Sequence, residues 1–207
     1  MKIIPNDSLI INEPYKIGTF GYIYKTTLNN ENFCYKKLKQ KYPKDIMKNL
    51  ADFTEEKFSE EFLIPQYMVL DTEENCLDGY LTKDYTELVD FSCALNLEEK
   101  IMLLKRAKTT ILKLHSYYGI IHGDLNEQNI LFNIDDDYKA FVLDFDSALR
   151  FGQPVSSLVS FSKFVKDYLK YFPLDYKTDA YSFNLTTLAV LIGCEWSEVL
   201  KRVGNDD

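Results

Sequence analysis

His122-Gly123-Asp124-Leu125-Asn126-Glu127-Gln128-Asn129, followed fifteen residues after Asn129 by Asp144-Phe145-Asp146, is the stretch that decides how this chain reads. An Asp is followed five positions on by an Asn and then by a second Asp. Each cluster stands behind an apolar run, Ile120-Ile121 and then Phe141-Val142-Leu143. Short apolar runs of this kind suit buried strands, so the polar groups sit at the ends of fixed elements. Phosphoryl transfer from a nucleoside triphosphate needs such a set. One carboxylate orients or deprotonates an acceptor hydroxyl, while an amide oxygen and a second carboxylate hold metal ions on the phosphates.

The bulk properties narrow the field. A chain of 207 residues accommodates one domain or two small lobes with a real core. A formal net charge of -8 argues against nucleic acid or an anionic membrane as the main partner. The basic run from Lys36 to Lys48 reads as a solvated helix face. Cys34, Cys76, Cys93 and Cys194 are scattered without a CxxC pair, which argues against a zinc site or a disulfide framework. With neither a signal-peptide core nor an apolar run of membrane-spanning length, the expectation is a soluble, cytoplasmic protein.

Residues 8–38 read as three short strands, with Tyr22 to Leu28 and Asn32 to Leu38 flanking the turn Asn29-Asn30-Glu31. Residues 44–62 read as helical, with Ile46, Leu50, Phe53 and Phe58 as apolar points. Tyr67–Leu70 and Gly79–Thr82 read as strands around an acidic turn from Asp71 to Asp78. Asn96-Leu97-Glu98-Glu99 is a helix-start signature. The helix that it opens places Ile101, Leu104, Lys108, Ile111, Leu112 and Leu114 near one face and breaks at Gly119. A strand pair follows through Asn133–Asp137 to Leu143, and a last helix runs from about Thr178 to Ile192, stopped by Gly193. Strands first and helices later predict an α+β chain, a small β-rich lobe (1–84) on a mainly helical lobe (85–207).

The motif stretch resembles the catalytic loop and metal-binding turn of the protein-kinase superfamily, H-x-D-L-x-x-x-N and D-F-G. The resemblance implies that Asp124 is the catalytic base, that Asn129 and Asp144 are ligands of Mg²⁺, and that ATP is the donor. Leu131 would pack under the adenine, whereas His122 and Phe145 read as packing residues and His115 as the end of a helix. Gly18-Thr19-Phe20-Gly21-Tyr22-Ile23 is similar to the later part of the kinase glycine-rich loop, with Lys16 where its first glycine would stand. Cys34-Tyr35-Lys36-Lys37-Leu38 resembles the strand whose lysine holds the α- and β-phosphates. That alignment assigns the role to Lys36, with Cys34 and Ile23 on the adenine, and a shift of register would exchange Lys36 and Lys37. Glu55 has the spacing of the carboxylate that pairs with this lysine, and Glu56, Glu60, Glu61 and Asp45 are alternatives. Gly79 to Tyr85 is similar to the fifth strand and hinge, with Thr82 at the back of the adenine site and Lys83, Asp84 and Tyr85 as the hinge. Lys177-Thr178-Asp179-Ala180-Tyr181-Ser182-Phe183 resembles the start of the kinase helix whose Asp braces the catalytic loop. Val165-Lys166-Asp167-Tyr168-Leu169 stands where that family has A-P-E-Y-L.

Several positions depart from the family. Gly123 replaces the Arg that receives an activation-loop phosphate in many kinases, so Ser156, Ser157, Ser160 and Ser162 are not expected to form a phospho-switch. Asn126 replaces the Lys typical of Ser/Thr protein kinases, and H-G-D-L recurs in aminoglycoside and other small-molecule phosphotransferases. Asp146 replaces the glycine of D-F-G. A shortened C-lobe leaves apolar residues of the last helix for Trp196 to Val203 to cover, and a homodimer or a partner protein is expected beside Trp196. The first expectation is an ATP- and Mg²⁺-dependent Ser/Thr protein kinase. Its alternatives are a kinase of small hydroxylated acceptors and a pseudokinase serving as a binding or scaffold module.

Overall fold

The computed structural model describes residues 2–18, 20–42, 58–153, 174–195, 198, 199 and 201. The expected α+β class is observed, in two compact units. The first comprises Met1–Phe58 and Leu63–Glu87, the second Ser59–Phe62 and Leu88–Asp207.

The first unit is a six-stranded sheet of order β1-β5-β6-β4-β3-β2. Its strands are β1 (Lys2–Pro5), β2 (Lys16–Ile17), β3 (Gly21–Leu28), β4 (Glu31–Tyr42), β5 (Tyr67–Asp71) and β6 (Cys76–Lys83). The β3–β4 hairpin turns on Asn29 and Asn30 alone, at φ 52° and 65°. Consecutive positive φ values match the right-handed twist of a two-residue hairpin, and Asn tolerates them. Glu31, expected in the turn, therefore pairs with Leu28 inside the ladder. β1 lies parallel to β5, a pairing that no local sequence signal announces. Leu9, Phe33, Tyr35, Val69 and Leu81 form the core on one face of the sheet. Tyr35 donates a 2.5 Å hydrogen bond to the buried Asp78, whose carboxylate also lies 3.7 Å from Lys37.

In the second unit, α1 (Leu97–Tyr118) starts as expected, with the Asn96 side chain accepting from Glu99 N at 2.9 Å, and stops at Gly119 in the left-handed region. Its buried stripe is Leu103, Leu104, Ala107, Thr110, Ile111 and Leu114. Ile101 and Leu112, expected on that face, are 39% and 54% exposed. At 3.6 residues per turn they point away from the stripe through Ala107 and Leu114. Thr110 is buried instead because its hydroxyl donates to Ala140 O at 3.4 Å.

Two short sheets follow. β7 (Ile120–Ile121) pairs with β10 (Leu149–Arg150), and β8 (Ile130–Asn133) with β9 (Lys139–Val142). The last helix, α2 (Tyr176–Ile192), carries a capping box between Asp175 and Thr178 and ends at Gly193 with φ 77°. Val199 folds back onto Leu185 and Ala189, yet Tyr181, Leu188, Leu191 and Ile192 stay exposed. Among the described residues no helix is long and apolar enough to cross a membrane.

The helical expectation for 44–62 meets a correction at its end. Residues 59–62 form a turn and an isolated bridge, with Phe62 beside Val142. The Val142 amide donates to Glu61 O at 2.8 Å, and the Glu61 carboxylate is bound by Lys113. The backbone here follows the Phe62–Val142 bridge, and Phe62 N closes a tight turn onto Ser59 O at 3.1 Å, so the segment is not helical. Residues 43–57 lie outside the described set.

Candidate active site

Strand parity separates the two lysines of β4. Directly paired residues in an antiparallel ladder share a face, so Ile23, Lys36 and Tyr80 lie together, as do Lys25, Cys34 and Thr82. Lys36 therefore lies on the face that carries Ile23, Cys34 and Thr82, with its Nζ 5.5 Å from the centre of the Tyr80 ring. Lys37 takes the opposite face, beside Asp78. The register that the resemblance selected thus brings together four of its assigned residues.

Gly18 and Gly21 close the β2–β3 connection, with Gly18 N donating to Gly21 O at 2.9 Å. Lys39 fastens this turn to β4, since its Nζ donates to Gly18 O at 2.7 Å and its N to Phe20 O at 2.9 Å. A Cβ at Gly21 would stand 2.6 Å from Lys37 O. Glycine is needed there for the approach of two strands before any phosphate is considered. Phe20 is exposed at the turn. Thr19 lies outside the described residues.

Thr82 is buried and Lys83 exposed, followed by the half-buried Asp84 and Tyr85. Asp84 Oδ1 accepts from Thr86 N at 2.9 Å and from Cys34 Sγ at 3.5 Å. Burial works against the charged carboxyl of Asp84, but the Thr86 and Cys34 bonds outweigh it and hold its pKa below the ordinary value. Burial pushes the Cys34 thiol up to about 12, so it is an apolar packing group at neutral pH. Among the proposed partners of Lys36, Glu60 binds Lys139 and Glu61 binds Lys113 in the second unit. Glu55, Glu56 and Asp45 lie outside the described residues.

The loop from His122 to Asn129 in the second unit is held from behind by one carboxylate. Asp179 on α2, 0% exposed, accepts His122 N at 2.7 Å on Oδ2 and Gly123 N at 2.8 Å on Oδ1. Gly123 has φ 80°, which the absence of a Cβ permits. His122 is fully buried, and burial lowers its pKa despite the opposing pull of Asp179 and Asp144. Its Nδ1 accepts from Asp124 N at 3.2 Å, which assigns the proton to Nε2, 2.9 Å from Leu143 O. The ring is therefore neutral and ties Asp124 to the residue before Asp144.

Asn129 completes this wiring. Its Nδ2 donates to Asp124 O at 2.8 Å, and its own carbonyl accepts Leu143 N at 3.1 Å. That bond sets the amide so that Oδ1 is the end a cation could take. Asp144 follows in the left-handed region, at φ 66° and ψ 59°. Asp and Asn visit that region more readily than other side chains, and such strain gathers at functional sites. Phe145 is fully buried, 5.0 Å from the His122 ring and 6.5 Å from Phe62. Leu131, half-buried, pairs with Phe141 across β8–β9. Asn129, with Asp144, is the polar set suited to Mg²⁺, a hard cation with oxygen ligands.

Two contributors were not legible in advance. His115 Nε2 lies 2.8 Å from Asp179 Oδ2, so the helix-end histidine joins the brace of the loop. Phe62 extends the column of Phe145 and His122. Only the distance between His115 and Asp179 along the chain hid the first, whereas the second required Ser59–Phe62 to join the second unit. Ser156, Ser157, Ser160, Ser162, the segment Val165 to Leu169, Trp196 and Val203 lie outside the described residues.

Residues 81–152 match the model of the lipopolysaccharide kinase (Kdo/WaaP) family. The match runs from the end of β6 to just past β10 and spans Asp124, Asn129 and Asp144. It covers less than half of the chain and leaves out Lys36 and Asp179. No curated protein matches the chain significantly. The matched family is one of kinases, protein-kinase-like in kind, and the match supports a phosphotransferase enzyme.

Proposed function

We propose that this protein is an ATP- and Mg²⁺-dependent kinase that transfers the γ-phosphoryl group to a saccharide hydroxyl. The observation that carries this reading is the loop from His122 to Asn129, in which Asn129 and His122 each bond both to Asp124 and to Leu143, the residue before Asp144, within the matched segment. Asp124 orients the acceptor hydroxyl and takes its proton, while Asn129 and Asp144 hold the metal on the phosphates. In the first unit, Lys36 would neutralise the α- and β-phosphates, with Ile23, Cys34 and Thr82 on its face of the sheet to pack on the adenine and Lys83 to Tyr85 to offer backbone groups to its edge.

The family match supports a saccharide rather than a protein as acceptor, as do Gly123 and Asn126 in place of the Arg and Lys of protein kinases. A Ser/Thr protein acceptor is the second reading, favoured by the start of α2, where Asp179 braces the loop as its protein-kinase counterpart does. Purified protein with γ-labelled ATP and Mg²⁺, offered neutral and acidic saccharides, aminoglycosides and a protein extract, distinguishes the acceptors. Asp124→Ala should abolish transfer with nucleotide binding nearly intact, whereas Asp144→Ala should weaken Mg²⁺-dependent nucleotide binding. Parent-like turnover in both variants refutes the assignment, and nucleotide binding without transfer or hydrolysis supports a pseudokinase.

A further inference from the structure

We propose that Asn126 is a positioning residue for phosphoryl transfer, fixing the turn that presents Asp124 and Asn129; this rests on the phosphotransferase reading above. In the Ser/Thr protein kinases that the loop resembles, this position carries a lysine, a long cation that can reach out of the loop. Here both ends of the side chain are turned back into it. Oδ1 accepts Gln128 N at 2.9 Å, closing an Asx turn, and Nδ2 donates to Asp124 O at 3.2 Å. The backbone carbonyl of Asn126 accepts Asn129 N at 3.2 Å.

Asp124 O also accepts Asn129 Nδ2 at 2.8 Å. A carbonyl oxygen has two lone pairs, and two side-chain amides take them. The Asp124 amide is held separately by His122 Nδ1 at 3.2 Å. The peptide groups on both sides of the proposed base are thus fixed, His122 holding the N–H side, and Asn126 with Asn129 the carbonyl side. Removing the Asn126 amide leaves the carbonyl to Asn129 alone and opens the turn through which Asn129 returns. Leu125 and Asn129 are buried, and Asp179 still holds the amides of His122 and Gly123, so the loop stays in place while its turn loosens. A base displaced in this way acts on the acceptor less well but leaves nucleotide binding nearly unchanged.

The test compares the parent protein with Asn126→Ala and Asn126→Ser, because a serine hydroxyl can still accept the Gln128 amide. Loss of two side-chain hydrogen bonds predicts a fall in kcat of roughly thirtyfold for Asn126→Ala. KM for ATP should stay within about twofold, and Asn126→Ser should recover much of the rate. Amide hydrogen exchange gives a readout that does not depend on turnover. Gln128 and Asn129 should exchange at least about tenfold faster in Asn126→Ala than in the parent, with protection partly restored by Ser. If the parent transfers no phosphate, the phosphotransferase reading fails, and exchange still decides whether Asn126 holds the turn. Unchanged exchange in Asn126→Ala overturns the proposal, as does an Ala variant with kcat near the parent's or a Ser variant no better than Ala.

Discussion

Removing the Asp179 carboxylate should cost far more than removing any other polar group of its helix. The carboxylate is fully buried and receives three groups, His122 N, Gly123 N and His115 Nε2, at 2.7 to 2.8 Å. Asp179→Ala strands two buried backbone N–H groups at about 1–3 kcal/mol each and loses charge-assisted bonds. Relaxation of the loop recovers part of this, which leaves about 3–5 kcal/mol. Asp175→Ala on the same helix supplies the comparison, since it removes an N-cap at about 1 kcal/mol without touching the loop. Urea unfolding followed by circular dichroism should place the Asp179→Ala midpoint roughly 1–2 M below the parent and Asp175→Ala only a few tenths below. Asp179→Asn should fall between them, because it keeps one acceptor oxygen but turns an NH₂ toward a backbone N–H. If Asp179→Ala shifts the midpoint no further than Asp175→Ala, the bonds to the loop contribute nothing and the brace is refuted.

Acid should act on the Glu61–Lys113 pair. Burial opposes the Glu61 charge, but Lys113 wins and lowers the folded-state pKa below the ordinary 4.5. The unfolded chain then binds its proton first, so this stabilisation is present above the ordinary value and lost as pH falls through the folded-state pKa. Glu61→Gln should therefore lower stability at pH 7 and flatten its decline below pH 4.5 in a series of unfolding curves. Cys34, buried with a thiol pKa near 12, should resist iodoacetamide at pH 8 in the native protein and react after unfolding, as peptide mapping would show. Gly79→Ala should cost several kcal/mol or prevent folding, since its Cβ would lie 2.1 Å from Lys36 O; thermal melting checks it.

The features legible in the sequence are those set by near neighbours. Asn96 and Glu99 start α1, Gly119 and Gly193 stop the helices, and Asn29-Asn30 makes the hairpin, because each effect acts within a few residues. The place of Lys36 beside Ile23, Cys34 and Thr82 follows from alternation once the hairpin register is given. Other features depend on what the fold brings together. β1 joins the sheet through β5, and Ser59–Phe62 gives its backbone to the second unit. His115 reads as an ordinary helix end until Asp179, sixty-four residues later, lies against it. Ile101 and Leu112 are apolar enough for a core face, but the stripe is set by what covers α1, and Thr110 is buried because Ala140 offers it a carbonyl.

The motif that decides the reading consists of two interleaved sets of residues. Asp124, Asn129 and Asp144 are the residues proposed to carry out transfer, and backbone bonds made by their neighbours hold the loop that bears them. His122 fixes the Asp124 amide, Asn126 its carbonyl, and Asp179 the two amides before it, while Leu143 N is bound to Asn129 O. His122 can do this only while neutral, which its burial favours, and Gly123 takes its φ of 80° without straining a side chain. At two of the positions where the chain parts from protein kinases, Gly123 and Asn126, the supporting set has changed, whereas Asp124, Asn129 and Asp144 are kept. Phosphoryl transfer should therefore survive the departures, while recognition of the acceptor, which has no cation from position 126 to meet it, should differ.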